Sequence, residues 1–229
     1  YKVGLFSKAI VAYLRKFHNR TLLTMVPTEQ MRAELGAIGF RNLRVVARGV
    51  DTDLFHPGRR SDVLRRAWGA AGTTLVVLYV GRLAAEKNLA NLAGAFAAIR
   101  SQRPDARLVL VGDGPEQRAL RAQIPDAVFA GLQRGEDLAA HYASGDLFLF
   151  PSLSETFGNV TIEALASGLP VVAYDYAAAA EHLRHGINGY LSGYGQATDL
   201  ERHAVEAAGL HRARPDRFLE MGRQARRTA

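Results

Sequence analysis

The amino-acid sequence predicts an α/β protein built on a doubly wound parallel sheet, and three observations carry that prediction. From Leu75 onward, short apolar runs rich in β-branched residues recur, with helix-patterned stretches between them. The runs are almost continuously apolar, as strands covered on both faces must be. Glycine, proline and aspartate punctuate the strand ends, and right-handed crossovers bring the loops leaving the strands to one sheet edge, where ligands collect.

Taken in order, the predicted strands are Leu75–Val80, Leu108–Val111, Ala127–Ala130, Leu147–Phe150, Val171–Tyr174 and Gly189–Leu191. Helices are predicted over Leu89–Arg100, Pro115–Gln123, Asp137–Ser144, Thr161–Ser167, Ala177–Leu183 and Leu200–Leu210. The first fifty residues differ. Leu5–His18 reads as an amphipathic helix, with Leu5, Phe6, Ile10, Val11, Leu14 and Phe17 opposed to Lys8, Arg15 and Lys16. A strand over Leu22–Val26, a helix over Thr28–Leu35 capped by Thr28, and a strand at Leu43–Val46 follow. Asp51–Arg60 reads as a turn or hinge. A lone strand–helix unit makes no sheet of its own, so one complete α/β domain preceded by the tail of another is expected.

Composition narrows the function classes. At 229 residues with 48% hydrophobic and 22% charged residues, the chain is neither disordered nor fibrous. With no cysteine it has no disulfide framework, thiolate zinc site or cysteine nucleophile. No apolar run reaches the roughly 20 residues of a membrane helix. Twenty-nine basic against 22 acidic residues give a net charge of +7, which favours anionic partners. The basic residues are dispersed and lack interleaved aromatics, which argues against a nucleic-acid partner. His141, His182, His185 and His203 show no metal-ligand spacing with a carboxylate.

The stretch FPSLSETFGNVTIEALASGLPVVA, beginning at Phe150, is the most informative. A buried strand ends at Pro151, a small polar loop follows, and a helix begins near Asn159. Amides of Thr156, Phe157, Gly158, Asn159 and Val160, with the positive end of the helix dipole, suit a pyrophosphate there. Gly158 would let the backbone approach it closely. Glu155 and Glu163 bracket the loop eight positions apart, and carboxylates accept hydrogen bonds from sugar hydroxyls. On physical grounds alone, Glu163 could equally complement the helix dipole and Glu155 could be a solvated loop residue. In VGRLAAEKN a strand ends at Gly81, and Arg82 and Lys87 emerge toward the same edge, able to neutralise a diphosphate. Lys87 is the only lysine after position 16. VGDGP, ending at Pro115, lacks the GxGxxG spacing of a nicotinamide dinucleotide site, so Gly112 and Gly114 read as turn geometry.

Together, RGVDTDLFHPG, VGRLAAEKN, LVLVGDGP, the Phe129–Ala173 block and HGINGYL, in that order, resemble the C-terminal domain of retaining "group 1" nucleotide-sugar glycosyltransferases. That resemblance implies the C-terminal half of a twin-Rossmann GT-B enzyme. Residues 51–229 would be the Rossmann-like donor-binding domain, and residues 1–50 a remnant of the N-terminal domain with the hinge. It further implies transfer of a hexose from a UDP- or GDP-sugar to an acceptor with retained anomeric configuration, and no cofactor or metal. Arg82 and Lys87 would hold the diphosphate and Glu155 the hydroxyls of the transferred sugar, making these the catalytic residues. Amides of residues 157–160 would cap the diphosphate, Glu163 would take the ribose, and Gly131 and Leu132 would flank the base. An epimerase, a sugar phosphorylase or a non-catalytic nucleotide-binding domain on the same fold are the alternatives.

Two departures stand out. Where the family usually has a Gly-Gly pair before its last glutamate, this chain has Tyr176 and then Ala177–Ala180 before Glu181. The N-terminal domain is almost wholly absent, so the chain is expected to bind donor without completing a transfer, the acceptor being held by that domain. Cytoplasmic location is expected, with peripheral contact at the inner membrane face where the basic N-terminal helix touches lipid. Packing of that helix against the absent domain is the favoured alternative, and would leave its apolar stripe exposed here.

Overall fold

The computed structural model describes residues 6–46, 49–155 and 158–229. Two compact units divide the chain, residues 1–49 and 50–229. In the first, helix α1 (Phe6–His18) precedes strand β1 (Thr24–Val26), helix α2 (Glu29–Ala37) and strand β2 (Leu43–Val45). The two strands pair in parallel, Thr24 opposite Leu43. Thr28 caps α2, its side chain accepting from the Met31 amide at 3.1 Å. Asn19, just past α1, fixes the turn after α2 by donating to the Gly39 carbonyl and accepting from the Arg41 amide. Ile10, Tyr13, Leu14 and Phe17 remain exposed along α1. No helix among the described residues is long and apolar enough to cross a membrane.

The second unit is a six-stranded, all-parallel sheet. Its strands are β3 (Val76–Val80), β4 (Arg107–Val111), β5 (Val128–Gly131), β6 (Leu147–Phe150), β7 (Val171–Tyr174) and β8 (Gly189–Ser192). Their spatial order is β5-β4-β3-β6-β7-β8, so the chain steps one way from β3 and then crosses back to β6. The loops leaving β3 and β6 therefore diverge and open a crevice between them. The cause is visible in composition: β3, β6 and β7 are buried at every position and must be covered on both faces.

Helices α3 (Asp62–Ala67), α4 (Leu89–Gln102), α5 (Gln117–Gln123), α6 (Gly135–Ser144), α7 (Asn159–Ala166), α8 (Ala177–His182), α9 (Ala197–Ala213) and α10 (Pro215–Thr228) supply that cover. The long pair α4 and α9 pack on each other, and α10 lies against α7 and α9. Neither α3 nor α10 is among the sequence-predicted elements. Strand β5 lies one residue later than the predicted Ala127–Ala130, and its pairing with β4 shifts between Leu110 and Val111, where Val111 faces Gly131. At the start of the sheet, Asp146 accepts from Arg60, Arg65 and the Val76 amide, tying the beginnings of β3 and β6 together.

Candidate functional site

The crevice between β3 and β6 gathers the charged residues. After β3 the chain makes a short 3-10 turn, Ala85–Lys87, and enters α4 through Asn88 at φ +55. That turn delivers the Lys87 ammonium across the crevice to the segment following β6. There it donates to the Ser154 carbonyl at 3.0 Å and to Ser152 Oγ at 3.4 Å, and forms an ion pair with Glu155. The Lys87 and Glu155 side chains are only 18% and 14% exposed. Ser152 Oγ lies 3.0 Å from both the Ser154 carbonyl and Glu155 Oε1, so its hydroxyl pins the carboxylate from below. The Lys87 ammonium also lies 5.8 Å from the centre of the Phe150 ring.

Arg82 stands apart from this cluster. Its guanidinium is 67% exposed and pairs with Glu86 at 3.3 Å, one turn along the same loop. Lys87 and Glu155 are thus brought together, whereas Arg82 waits at the rim. Gly81 sits behind them, its amide bonded to the Val111 carbonyl. The turn after β4 approaches the turn after β3 so closely that a Cβ at Gly112 would lie 2.0 Å from the Gly81 carbonyl oxygen. Gly112 is therefore a requirement of close packing at the crevice edge.

Gly158 caps α7 at φ +69, and a Cβ there would meet that of Ala178 at 2.3 Å. Helix α8 thereby backs the first turn of α7. Ala177, at the start of α8, takes φ +50, a region open to glycine and costly to alanine. It stands in the Ala177–Ala180 run that replaces the family's glycine pair. Thr156 and Phe157, two of the five expected amide donors, lie outside the described residues. Asn159 and Val160 form the opening of α7, and the buried Asn159 Oδ1 has no hydrogen-bond partner among the described residues. A buried acceptor left alone costs about 1–3 kcal/mol, which a ligand hydroxyl or N–H would relieve.

Glu163 lies one turn further along α7. The fully buried Tyr142 of α6 donates its hydroxyl to Glu163 Oε2 at 2.9 Å, leaving Oε1 available. Burial pushes the Glu163 pKa above its ordinary value, and the Tyr142 hydrogen bond offsets part of that rise. Gly131 ends β5 at φ +70, and Leu132 beyond it is 64% exposed, an apolar surface beside the crevice. Ser152 and Tyr142 escaped the sequence reading. Ser152 could have been suspected from its place three residues before Glu155, while nothing local marks Tyr142.

His141 and His203 are ordinary core histidines. His141 Nδ1 lies 2.7 Å from the Asp137 carbonyl, and His203 Nδ1 lies 2.9 Å from Ser192 Oγ. Among the described residues, no cluster of three or more histidine, aspartate or glutamate side chains is arranged to hold a metal ion. The crevice can thus offer a cation and a helix start to an anion, and carboxylate and amide oxygens to hydroxyl groups.

Comparison with known proteins points the same way. Residues 74–208 match the family model described as glycosyl transferases group 1. A GDP-mannose-dependent alpha-mannosyltransferase of Corynebacterium glutamicum is 40% identical over 191 residues, covering 83% of this chain and 45% of the relative. A GDP-mannose-dependent alpha-(1-6)-phosphatidylinositol dimannoside mannosyltransferase of Mycobacterium tuberculosis is 35% identical over 153 residues, covering 66% of this chain and 40% of the relative. The chain spans about half the length of the curated relatives it matches. Anabaena HepE, crystallised with UDP-glucose, superposes with a TM-score of 0.81 at 25% identity, over 97% of this chain and 63% of that one. Parallel sheet, crevice and family match agree: this chain belongs to the group 1 glycosyl transferases and has the fold of their C-terminal, GT-B-type half.

Proposed function

We propose that this chain is the donor-binding half of a retaining hexosyltransferase whose donor is GDP-mannose. One observation carries the reading: Lys87, Glu155 and the opening of α7 converge at the switch point of the sheet, with Glu163 one turn along. The diphosphate sits over the first turn of α7, capped by the amides of residues 156–160, where the helix dipole favours negative charge. Lys87 and an inward-turned Arg82 compensate the charge that builds on the departing diphosphate. Glu155 accepts from hydroxyls of the transferred sugar. Glu163 Oε1 accepts from the ribose while Tyr142 holds the other oxygen, and Gly131 with Leu132 flanks the base.

The choice of GDP over UDP rests on the mannosyltransferase relatives. An α-linked product from an α-linked GDP-mannose is net retention, which supports that stereochemistry. The reading needs no cofactor. The acceptor, a sugar or a lipid-linked sugar, would be held by a domain outside this chain. A cytoplasmic enzyme touching the inner membrane face peripherally accords with the phosphatidylinositol-acting relative.

Calorimetric titration with GDP, UDP and ADP tests this. GDP should bind most tightly, and absence of millimolar or better binding to all three would overturn the proposal. UDP is included because the Anabaena neighbour was crystallised with a uridine donor.

A further inference from the structure

The sheet of the second unit has an opposite edge, where β3, β4, β6 and β7 begin. A groove of about 1170 Å³ there is lined by residues that precede those strands and by helix α10. Leu169, Pro170 and Phe218 line its wall, and Leu219 stands 61% exposed at the rim. Its volume is that of a site for an organic molecule rather than for a simple ion.

The charge around this groove is unbalanced. Its two lining carboxylates are already engaged, Asp146 by Arg60 and Arg65 and Asp105 by Arg103. Those three arginines serve the fold, holding loop carbonyls and carboxylates in place. Arg212, Arg223, Arg226 and Arg227 add four further guanidinium groups. Of these, Arg223 pairs with Glu220, whereas Arg226 bonds the carbonyls of Thr52, Phe55 and Ala166 without a carboxylate. Arg212 and Arg227 make no ion pair among the described residues.

Two polar groups in the wall add hydrogen-bonding capacity. Ser167 is 3% exposed and its hydroxyl has no partner among the described residues. His211 Nδ1 lies 3.3 Å from Arg103 Nη1 and accepts there, which puts the ring proton on Nε2. Burial, with Arg103 and Arg65 nearby, holds the His211 pKa below the ordinary histidine value, against the opposing pull of Asp146 and Asp105. Guanidinium forks match phosphate oxygens, and the apolar wall matches a hydrocarbon or aromatic group. A flat bilayer surface would not reach Ser167 or the 5%-exposed Phe218, so the observations favour a soluble ligand.

We propose that the groove lined by α10 is a second ligand site, taking a phosphate ester that carries an apolar or aromatic group. It lies at the sheet edge opposite the donor crevice and is independent of what binds there.

Phenyl phosphate is the probe, titrated into the chain and followed by calorimetry and by NMR of the His211 ring, assigned by its loss in His211→Gln. Phenyl phosphate should bind about tenfold more tightly than inorganic phosphate, because only the ester fills the apolar wall. The His211 pKa should rise as the anion settles beside it. The double variant Arg212→Gln/Arg227→Gln should weaken binding about tenfold or more at an unchanged melting temperature. Lys87→Ala, at the other edge, should leave it intact. No binding up to roughly 10 mM, or loss on Lys87→Ala alone, overturns the proposal. Binding to phosphatidylcholine–phosphatidylglycerol vesicles without binding of phenyl phosphate also overturns it, assigning the basic rim to a lipid surface.

Discussion

Replacing Glu155 by glutamine should tighten the binding of a nucleoside diphosphate, although Glu155 is itself a proposed site residue. The ammonium proposed to hold the diphosphate, Lys87, is paired with Glu155. A diphosphate entering the crevice must draw Lys87 away from its carboxylate and must approach that negative charge. Fully exposed ion pairs contribute about 0–1 kcal/mol, whereas hydrogen bonds to charged groups sheltered from water contribute about 1.5–3 kcal/mol. Both side chains here are less than one-fifth exposed, so the second range applies. Glutamine retains the shape and a neutral acceptor, so part of the interaction survives. At about 1.4 kcal/mol per tenfold, GDP should bind roughly tenfold more tightly to Glu155→Gln. GDP-mannose should gain less, because the sugar loses its acceptor, and transfer by a complete enzyme should fall. Calorimetry with GDP on both proteins is the assay. Equal or weaker GDP affinity in Glu155→Gln would show that Lys87 does not have to leave its partner, and the reasoning would fail.

Three further outcomes follow from particular contacts. Glu163 has a raised pKa, so its protonation favours the fold; that contribution is fully present below the ordinary carboxylate value and is lost as pH rises through the raised one. Ribose hydroxyls need the ionised form, so GDP affinity should climb as pH rises through the raised Glu163 value, and Glu163→Gln should flatten that limb. An identical profile in the variant would deny Glu163 the ribose. Ala177→Gly should raise the melting temperature by about 1–2 °C, because relieving φ +50 gives roughly 1 kcal/mol and the greater freedom of unfolded glycine takes back about half. A lowered midpoint would contradict strain at that residue. Asp146→Ala should cost about 3–5 kcal/mol in urea unfolding, since it strands the 6%-exposed Arg65 guanidinium and frees the Val76 amide. A loss below about 1 kcal/mol would mean the two strand starts are held by other means.

The sheet was legible because its strands announce themselves. The bounds of β6 and β7 match the prediction residue for residue, since each is an unbroken apolar run closed by proline or glycine turns and an aspartate. Helix α10 carries an equally readable pattern, with Phe218, Met221, Gly222 and Ala225 buried at helical spacing. It went unread because those few apolar positions sit among arginines that give the segment a polar average. The site was legible only as a set of residue types. That Arg82 and Lys87 share a sheet edge with the Glu155 loop followed from right-handed crossovers, and the adjacency of β3 and β6 across the switch point is what the structure adds. Which of the two cations reaches the carboxylate did not follow. A 3-10 turn and the left-handed Asn88 aim Lys87 inward, whereas Arg82 meets Glu86 first, and such choices depend on backbone angles that composition does not encode.

The same logic explains why the two glutamates differ although both are carboxylates on one loop and helix. Glu155 meets a cation, so its negative charge is answered before any ligand arrives. Among the described residues Glu163 meets only a phenol hydroxyl that donates one hydrogen bond, so burial dominates and its pKa rises. A ligand therefore faces one carboxylate that must be released and another that must be supplied with donors. Sugar hydroxyls can compensate a Glu155 that has lost Lys87 to the diphosphate, and ribose hydroxyls can compensate the desolvated Glu163. A nucleotide sugar meets both demands at once, whereas inorganic pyrophosphate meets neither: it takes Lys87 and leaves both carboxylates unanswered. Pyrophosphate should accordingly bind at least tenfold more weakly than GDP, although it carries the same diphosphate and more charge. Competition calorimetry of the two ligands reads this directly, and equal affinities would mean that Glu163 takes no part in recognition, since GDP carries no transferred sugar for Glu155.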